Sequence, residues 1–157
     1  MGKICEPKVS LEAELFPPVF RVQLVRESGV DRPSLDGPVD AARILSSYLE
    51  NEDREHFVSM MLDAKNKVIG IHTVSIGTLC CTVVSPREVF KAAILANAAS
   101  IIVAHNHPSG DVTPSPEDIQ VTAVLKQAGK LLDIEVLDHV IVGEEGAYAS
   151  LKLLGHF

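Results

Sequence analysis

The feature that most constrains this chain is a short apolar run that ends in a pair of histidines. Residues 100–104 read Ser-Ile-Ile-Val-Ala and lead directly into His105, Asn106 and His107. A run this short and this apolar is typical of a strand that is buried on both faces. Because side chains repeat with a period of two along a strand, His105 and His107 point to the same side and can converge on one ligand.

Composition supports one domain built around such a strand. The chain has 157 residues, of which 46% are hydrophobic, so we expect a single core rather than general disorder. Lys and Arg number 14 against 21 Asp and Glu, which gives a net charge of −7. This charge is opposite to that of a protein that binds the nucleic-acid backbone, so direct DNA binding is disfavoured, although a local basic patch is compatible with it.

Cysteine use and hydropathy predict a soluble, cytoplasmic protein with no membrane partner. The three cysteines are Cys5, Cys80 and Cys81, an odd number in which two are adjacent, so no disulfide framework is expected. The N-terminal residues do not reach the apolar length of a signal peptide. No stretch approaches the ~18 to 20 apolar residues of a membrane span. The sequence leaves the oligomeric state open.

The order of the predicted elements indicates an α/β fold, a mixed β-sheet flanked by helices. Residues 1–18 are interpreted as an N-terminal arm and residues 19–157 as the folded domain. Helical spacing predicts helices that begin at Pro38, after Ser85 and after Ser115. Strand patterns cover the segments 19–25, 55–62, 68–74, 79–84, 100–104, 134–142 and 147–151. Alternation of strands and helices predicts a sheet with helices on its faces.

Two of the predicted helices start with the same motif. Residues 85–88 (Ser-Pro-Arg-Glu) and 115–118 (Ser-Pro-Glu-Asp) both fit a capping box with proline at the first helical position. Asp118 can therefore either cap its helix or supply an oxygen ligand beside His105 and His107. Two imidazoles and one carboxylate would leave a tetrahedral zinc one position for water, as in catalytic sites. From spacing alone, both interpretations stay open.

The motif resembles that of a known enzyme family. His105, His107, Ser115 and Asp118 match the pattern H-x-H-x7-S-x-x-D of the JAMM (MPN/JAB) metalloproteases. Within that group the chain resembles the RadC family over roughly residues 40 to 152, through the segments 85–90, 104–110 and 137–139. The resemblance implies a cytidine-deaminase-like α/β fold and a Zn²⁺ ion held by His105, His107 and Asp118.

The same resemblance implies an activity and two catalytic residues. A JAMM-type peptidase or isopeptidase cleaves an amide bond of a peptide or protein through a zinc-activated water. Glu55 fits the general base that takes a proton from this water and returns it to the leaving amine. Ser115 fits the serine whose hydroxyl steadies the oxyanion, although it is also the N-cap of its helix. The sequence does not identify the substrate.

Other interpretations of the polar residues compete with this one. Glu88 is a rival base, but its capping position already accounts for it. Asp138 and His139 fit either an additional metal ligand or a buried hydrogen-bonded pair. Cys80 and Cys81 invite comparison with the zinc deaminases, but the chain lacks their H-x-E and P-C-x-x-C motifs.

The RadC resemblance also allows a function of another class. The family name suggests a DNA-repair or mobile-element accessory protein, in which the metal domain is a scaffold that binds a partner without turnover. Longer family members carry an N-terminal helix-hairpin-helix region, and we expect this chain to be too short to contain one. It also has no obvious counterpart of the insertions with which eukaryotic relatives grip ubiquitin, so deubiquitination is not implied.

Overall fold

The computed structural model of the protein describes residues 32–49, 52–77 and 84–157. The predicted arm at 1–18, the strand at 19–25 and nearly all of the strand at 79–84 lie outside these ranges. In chain order, the described elements are α1 (Pro38–Leu49), β1 (His56–Leu62), β2 (Val68–Ile76), α2 (Pro86–Leu95), β3 (Ser100–Asn106), α3 (Pro116–Leu132), β4 (Glu135–Val142) and β5 (Tyr148–Ser150). None of the helices in these ranges is both long and apolar enough to cross a membrane.

The five strands form one mixed sheet in the order β2-β1-β3-β4-β5. Strand β1 pairs antiparallel with both β2 and β3, whereas β3 and β4 run parallel and β5 is antiparallel to β4. Helix α3 connects β3 to β4, because two parallel strands need a crossover between them. The predicted fold class, an α/β protein with a mixed sheet flanked by helices, is confirmed.

Helices cover both faces of the sheet. Helix α1 packs on one face, where Leu45 and Leu49 are buried against β1, β3 and β4. Helices α2 and α3 pack on the other, where Phe90 and Leu125 are buried. Every residue of β1 and β3 is buried as a result, which explains why both strands have apolar sequences without clear alternation.

Strand β3 is longer than its apolar run predicts. His105 and Asn106 continue the strand, because β4 pairs with both of them and His105 also pairs with Phe57 of β1. His105 therefore lies inside the sheet with 1% of its surface exposed, and His107 is the first residue beyond it.

The two predicted capping boxes have different outcomes. At α3 the box is formed, since the Ser115 side chain accepts from the Asp118 N–H while the Asp118 carboxylate accepts from the Ser115 N–H. At α2 the helix begins at Pro86 after Ser85, as predicted, but the predicted capping box is wrong, because the Ser85 side chain makes no capping hydrogen bond. The Glu88 carboxylate turns instead to the exposed cations of Arg87 at 3.0 Å and Lys91 at 2.8 Å.

Candidate metal centre

The structure brings the three predicted metal ligands together at the C-terminal end of β3, the central strand of the sheet. Their ligating atoms all lie within 4.8 Å of one another. The Nε2 atoms of His105 and His107 are 2.9 Å apart. The Asp118 carboxylate is 3.3 Å from His105 Nε2 through Oδ1 and 4.0 Å from His107 Nε2 through Oδ2. Strand β3 and the first turn of α3 thus place two imidazoles and one carboxylate around a common point.

This donor set fits a zinc ion. Two ligands at the usual bond length of about 2.0–2.1 Å from tetrahedral zinc are about 3.3 Å apart. The observed separations lie on both sides of this value, from 2.9 Å between the two imidazole nitrogens to 4.0 Å between His107 and Asp118. Burial lowers the pKa of His105 to about 4, an effect that the nearby Asp118 charge opposes and that His107 reinforces. The ring is therefore neutral at neutral pH, which is the form that binds a metal. Three protein ligands leave one coordination position open, as in catalytic zinc sites.

His107 is oriented by the loop that follows it. Its Nδ1 atom lies within hydrogen-bonding distance of the Asp111 carbonyl. Because a carbonyl can only accept, Nδ1 carries the proton and Nε2 of the neutral ring keeps its electron pair for a metal. The backbone N–H of His107 donates to the Val142 carbonyl at 2.9 Å, which holds the start of this loop against the end of β4.

Two glycines let the loop between His107 and Ser115 pack against the end of β4. Gly110 has a φ of +79°, a conformation that residues with a side chain rarely adopt. A Cβ atom on Gly143 would lie 2.6 Å from the Gly110 carbonyl oxygen and 2.7 Å from Cγ1 of Val112. Close contact of the two backbones thus returns the chain to α3, where Asp118 is located.

Ser115 is bound to a metal-ligand candidate as well as capping α3. Its hydroxyl donates to Oδ2 of Asp118 at 2.6 Å and accepts from the Asp118 N–H at 3.1 Å. Both bonds hold the carboxylate with Oδ1 directed toward His105. In this arrangement the hydroxyl orients a ligand, and its predicted part in steadying an oxyanion stays a prediction.

Glu55 lies directly before β1 and lines a cavity together with His107 and Asp118. It lines two cavities that also contain His107. One, of about 400 Å³, is lined mainly by charged and polar residues, among them Arg54 and Asp111. The other, of about 670 Å³, contains Ser115 and Asp118 together with the apolar side chains of Phe57, Val84, Val121 and Val124. Glu55 and His107 therefore lie between a polar and a more apolar cavity.

The structure separates the roles of Asp138 and His139. The Asp138 carboxylate accepts from the backbone of His139 and Lys152 and from the Ser150 hydroxyl, so it fastens β5 and the residues after it. His139 is fully buried, and its Nε2 atom lies 2.8 Å from Nδ1 of His105. Neither residue belongs to the group of three candidate ligands. His139 instead contacts Nδ1 of His105, the ring nitrogen that does not face the other ligands.

Sequence reasoning missed two polar residues beside the centre. Thr122 lies one turn after Asp118 on the buried side of α3 and contacts His139. The side chain of Asn106 binds the backbone on both sides of Glu55. The only sequence signal for Thr122 is a polar residue at a core position of a helix, and Asn106 has no signal beyond its place between the two histidines.

Comparison with known proteins places the chain in a family. Residues 35–156 match the model of the RadC-like JAB domain. A UPF0758 protein of Shouchella clausii is 50% identical over 135 residues, which cover 86% of this chain and 58% of that protein. A UPF0758 protein of Rubrobacter xylanophilus is 52% identical over 132 residues, which cover 84% and 56%. The chain spans a little over half the length of these relatives, and it belongs to the RadC-like JAB domain family.

Proposed function

We propose that this chain is a zinc-dependent metallopeptidase or isopeptidase that hydrolyses an amide bond in a peptide or protein. The observation that carries the proposal is the convergence of His105, His107 and Asp118 beside a carboxylate, Glu55, that lines the same cavity. This is the arrangement that amide hydrolysis needs, because it combines a metal site open on one side with a base within the same cavity.

His105, His107 and Asp118 would hold the zinc ion. When bound, zinc lowers the pKa of a water molecule and polarises the carbonyl that this water attacks. The protein supports the ion by fixing its ligands, since His107 is held by Asp111 and Asp118 by Ser115. These contacts restrict the ligand side chains before zinc binds, so less conformational entropy is lost when the ion is bound.

Glu55 would transfer the protons. As a general base it takes a proton from the attacking water, and as a general acid it delivers this proton to the amine that leaves. Its backbone is held in place, because its carbonyl accepts from the Gly77 N–H at 2.8 Å and Asn106 binds both neighbouring residues. Glu55 also lines both cavities, where a substrate would bind.

The two cavities would bind the substrate on either side of the bond that is cut. An extended peptide across Glu55 and His107 would place one side chain near Arg54 and Asp111 and the next against Phe57, Val121 and Val124. Charged and polar contacts on one side and apolar contacts on the other would fix the direction of the chain.

The test combines metal analysis with a peptide-library cleavage assay. We expect near-stoichiometric zinc in the native chain and in Glu55→Gln, little in His107→Ala, and cleavage by the native chain alone. If the native chain binds zinc but cleaves no peptide, the alternative of a metal-binding accessory domain is favoured. A native chain that binds no zinc would disprove the metal site itself.

A further inference from the structure

A chain of hydrogen bonds runs behind His105, on the side away from the cavities. The Thr122 hydroxyl donates to the backbone carbonyl of Asp118 at 2.6 Å and lies within hydrogen-bonding distance of Nδ1 of His139. Nε2 of His139 lies 2.8 Å from Nδ1 of His105. Thr122 and His139 have 0% of their surface exposed, so water does not complete or replace these bonds.

The donor and the acceptor in each of these hydrogen bonds follow from the group at one end of the row, the Asp118 carbonyl. The Asp118 carbonyl can only accept, so it takes the single proton of the Thr122 hydroxyl. The hydroxyl oxygen is then the acceptor for His139, whose Nδ1 must carry its proton. In a neutral ring this leaves Nε2 of His139 as an acceptor, and His105 donates to it from Nδ1. Nε2 of His105 is therefore free of hydrogen where it faces Nε2 of His107 at 2.9 Å and Oδ1 of Asp118 at 3.3 Å. Such a group of electron pairs is one that a bound cation would stabilise.

We propose that Thr122 and His139 are positioning residues that fix the tautomer of His105 for metal binding. The neutral side chain of a histidine in water prefers its proton on Nε2, the atom that His105 must offer to the ion, so the protein has to impose the opposite tautomer. This inference rests on the proposed zinc site. It assigns a role to two polar groups that are fully buried and line neither cavity.

Aromatic packing complements the hydrogen bonds. The ring of Phe57 stacks on His105 with centroids 6.0 Å apart and an angle of 10° between the planes. The same ring meets His139 edge-on at 5.5 Å. Phe57 thus packs against both imidazoles without making a hydrogen bond, which restricts the rotation of the two rings.

Replacing Thr122 by valine removes the hydroxyl and preserves the shape of the side chain. His139 would then have no partner that selects its tautomer, and His105 would spend part of its time with hydrogen on Nε2. Zinc would have to displace that hydrogen, which weakens binding. Loss of a group that orients a metal ligand typically costs about 10- to 100-fold in metal affinity.

The experiment measures Zn²⁺ affinity of the full chain by competition with a chelator. We expect about 10- to 100-fold weaker binding for Thr122→Val and near-native binding for Thr122→Ser, which restores the hydroxyl. Thr73→Val is the matched control, because its hydroxyl bonds the exposed Tyr48 hydroxyl at 3.1 Å on the opposite face of the sheet. It should leave the affinity unchanged.

A second measurement reads the tautomer directly. Nitrogen NMR of the imidazoles in metal-free native protein should show hydrogen on Nδ1 and none on Nε2 for both His105 and His139. Hydrogen on Nε2 of His105 would overturn the inference, whether or not Thr122→Val folds. Native-like zinc affinity in folded Thr122→Val would also overturn it, whereas absence of zinc binding by the native chain would instead disprove the proposed function.

Discussion

Asn106 holds the backbone on both sides of Glu55. Its Oδ1 accepts from the His56 N–H at 2.8 Å, and its Nδ2 donates to the Arg54 carbonyl at 2.8 Å. Asn106 lies between the two histidines of the metal motif and, by strand alternation, points to the opposite side from them. One residue of β3 therefore ties the position of the proposed base to the strand that carries the proposed ligands.

Replacing Asn106 by alanine should lower the free energy of unfolding but preserve zinc binding. The backbone groups that Asn106 satisfies at His56 and Arg54 would lose their partners, at a cost of about 1–3 kcal/mol. Zinc content should not change, because the ligands face away from Asn106. Urea unfolding and metal analysis would measure both effects, with the exposed Gln127→Ala on α3 as control. Native stability in Asn106→Ala would contradict the prediction.

Ser115→Ala and Ser85→Ala should differ, although both serines precede a proline at the start of a helix. Ser115 makes a capping bond and holds Asp118, so its loss should cost about 1 kcal/mol and weaken zinc binding. Ser85 makes no side-chain capping bond, so its replacement should change the melting temperature little and zinc binding not at all. Equal losses of stability in the two variants would refute this assignment.

The parts of the site that could be predicted are those that local sequence controls. The period of two along a strand brings His105 and His107 to one side, and the motif at 115–118 places Asp118 in the first turn of a helix. The strands β1 and β3 could be predicted as well. Every residue of both strands is buried between two helical layers, and this burial is what gives them the apolar runs that the sequence shows.

The parts that could not be predicted depend on pairing between distant segments. His139 meets Thr122 only because β4 returns parallel to β3 with α3 packed on the sheet. The sequence names His139 as a candidate, but no local pattern indicates that it contacts Thr122 and His105. Asn106 acts on a segment some 50 residues earlier in the chain. At α2 the capping-box motif predicts the wrong partner for Glu88. Its carboxylate forms ion pairs with Arg87 and Lys91, and the motif takes no account of neighbouring cations.

Gly143→Ala should disturb the metal loop even though the φ of Gly143, −108°, suits any residue. The added Cβ would meet the Gly110 carbonyl at 2.6 Å, so the loop would have to move. We expect a loss of about 1–3 kcal/mol in stability, typical of overpacking, and weaker zinc binding. Gly70→Ala is the control, since its Cβ would make an ordinary contact of 3.7 Å with Met61. Unchanged zinc affinity in Gly143→Ala would show that the loop tolerates displacement.

Metal-free protein should become more stable as the pH rises from about 5 to about 6.5. Burial lowers the pKa of His105 to about 4 and that of His139 well below its ordinary value of 6.5. In this range the unfolded chain binds more protons than the folded one, so the free energy of unfolding rises with pH, by up to about 1.4 kcal/mol per pH unit for each histidine. Below both pKa values this contribution is lost.

Urea unfolding in the presence of a chelator would measure this slope. Above about pH 5 carboxylates of ordinary pKa are largely ionised, so the slope in this window reports mainly on histidines. Replacing His105 by phenylalanine should reduce the slope, because it removes one buried group that the unfolded chain protonates. The exposed Gln127→Ala, which removes no titratable group, should leave the slope as it is. A free energy of unfolding that is equal at both ends of the window would mean that the folded chain admits protons to these rings despite their burial.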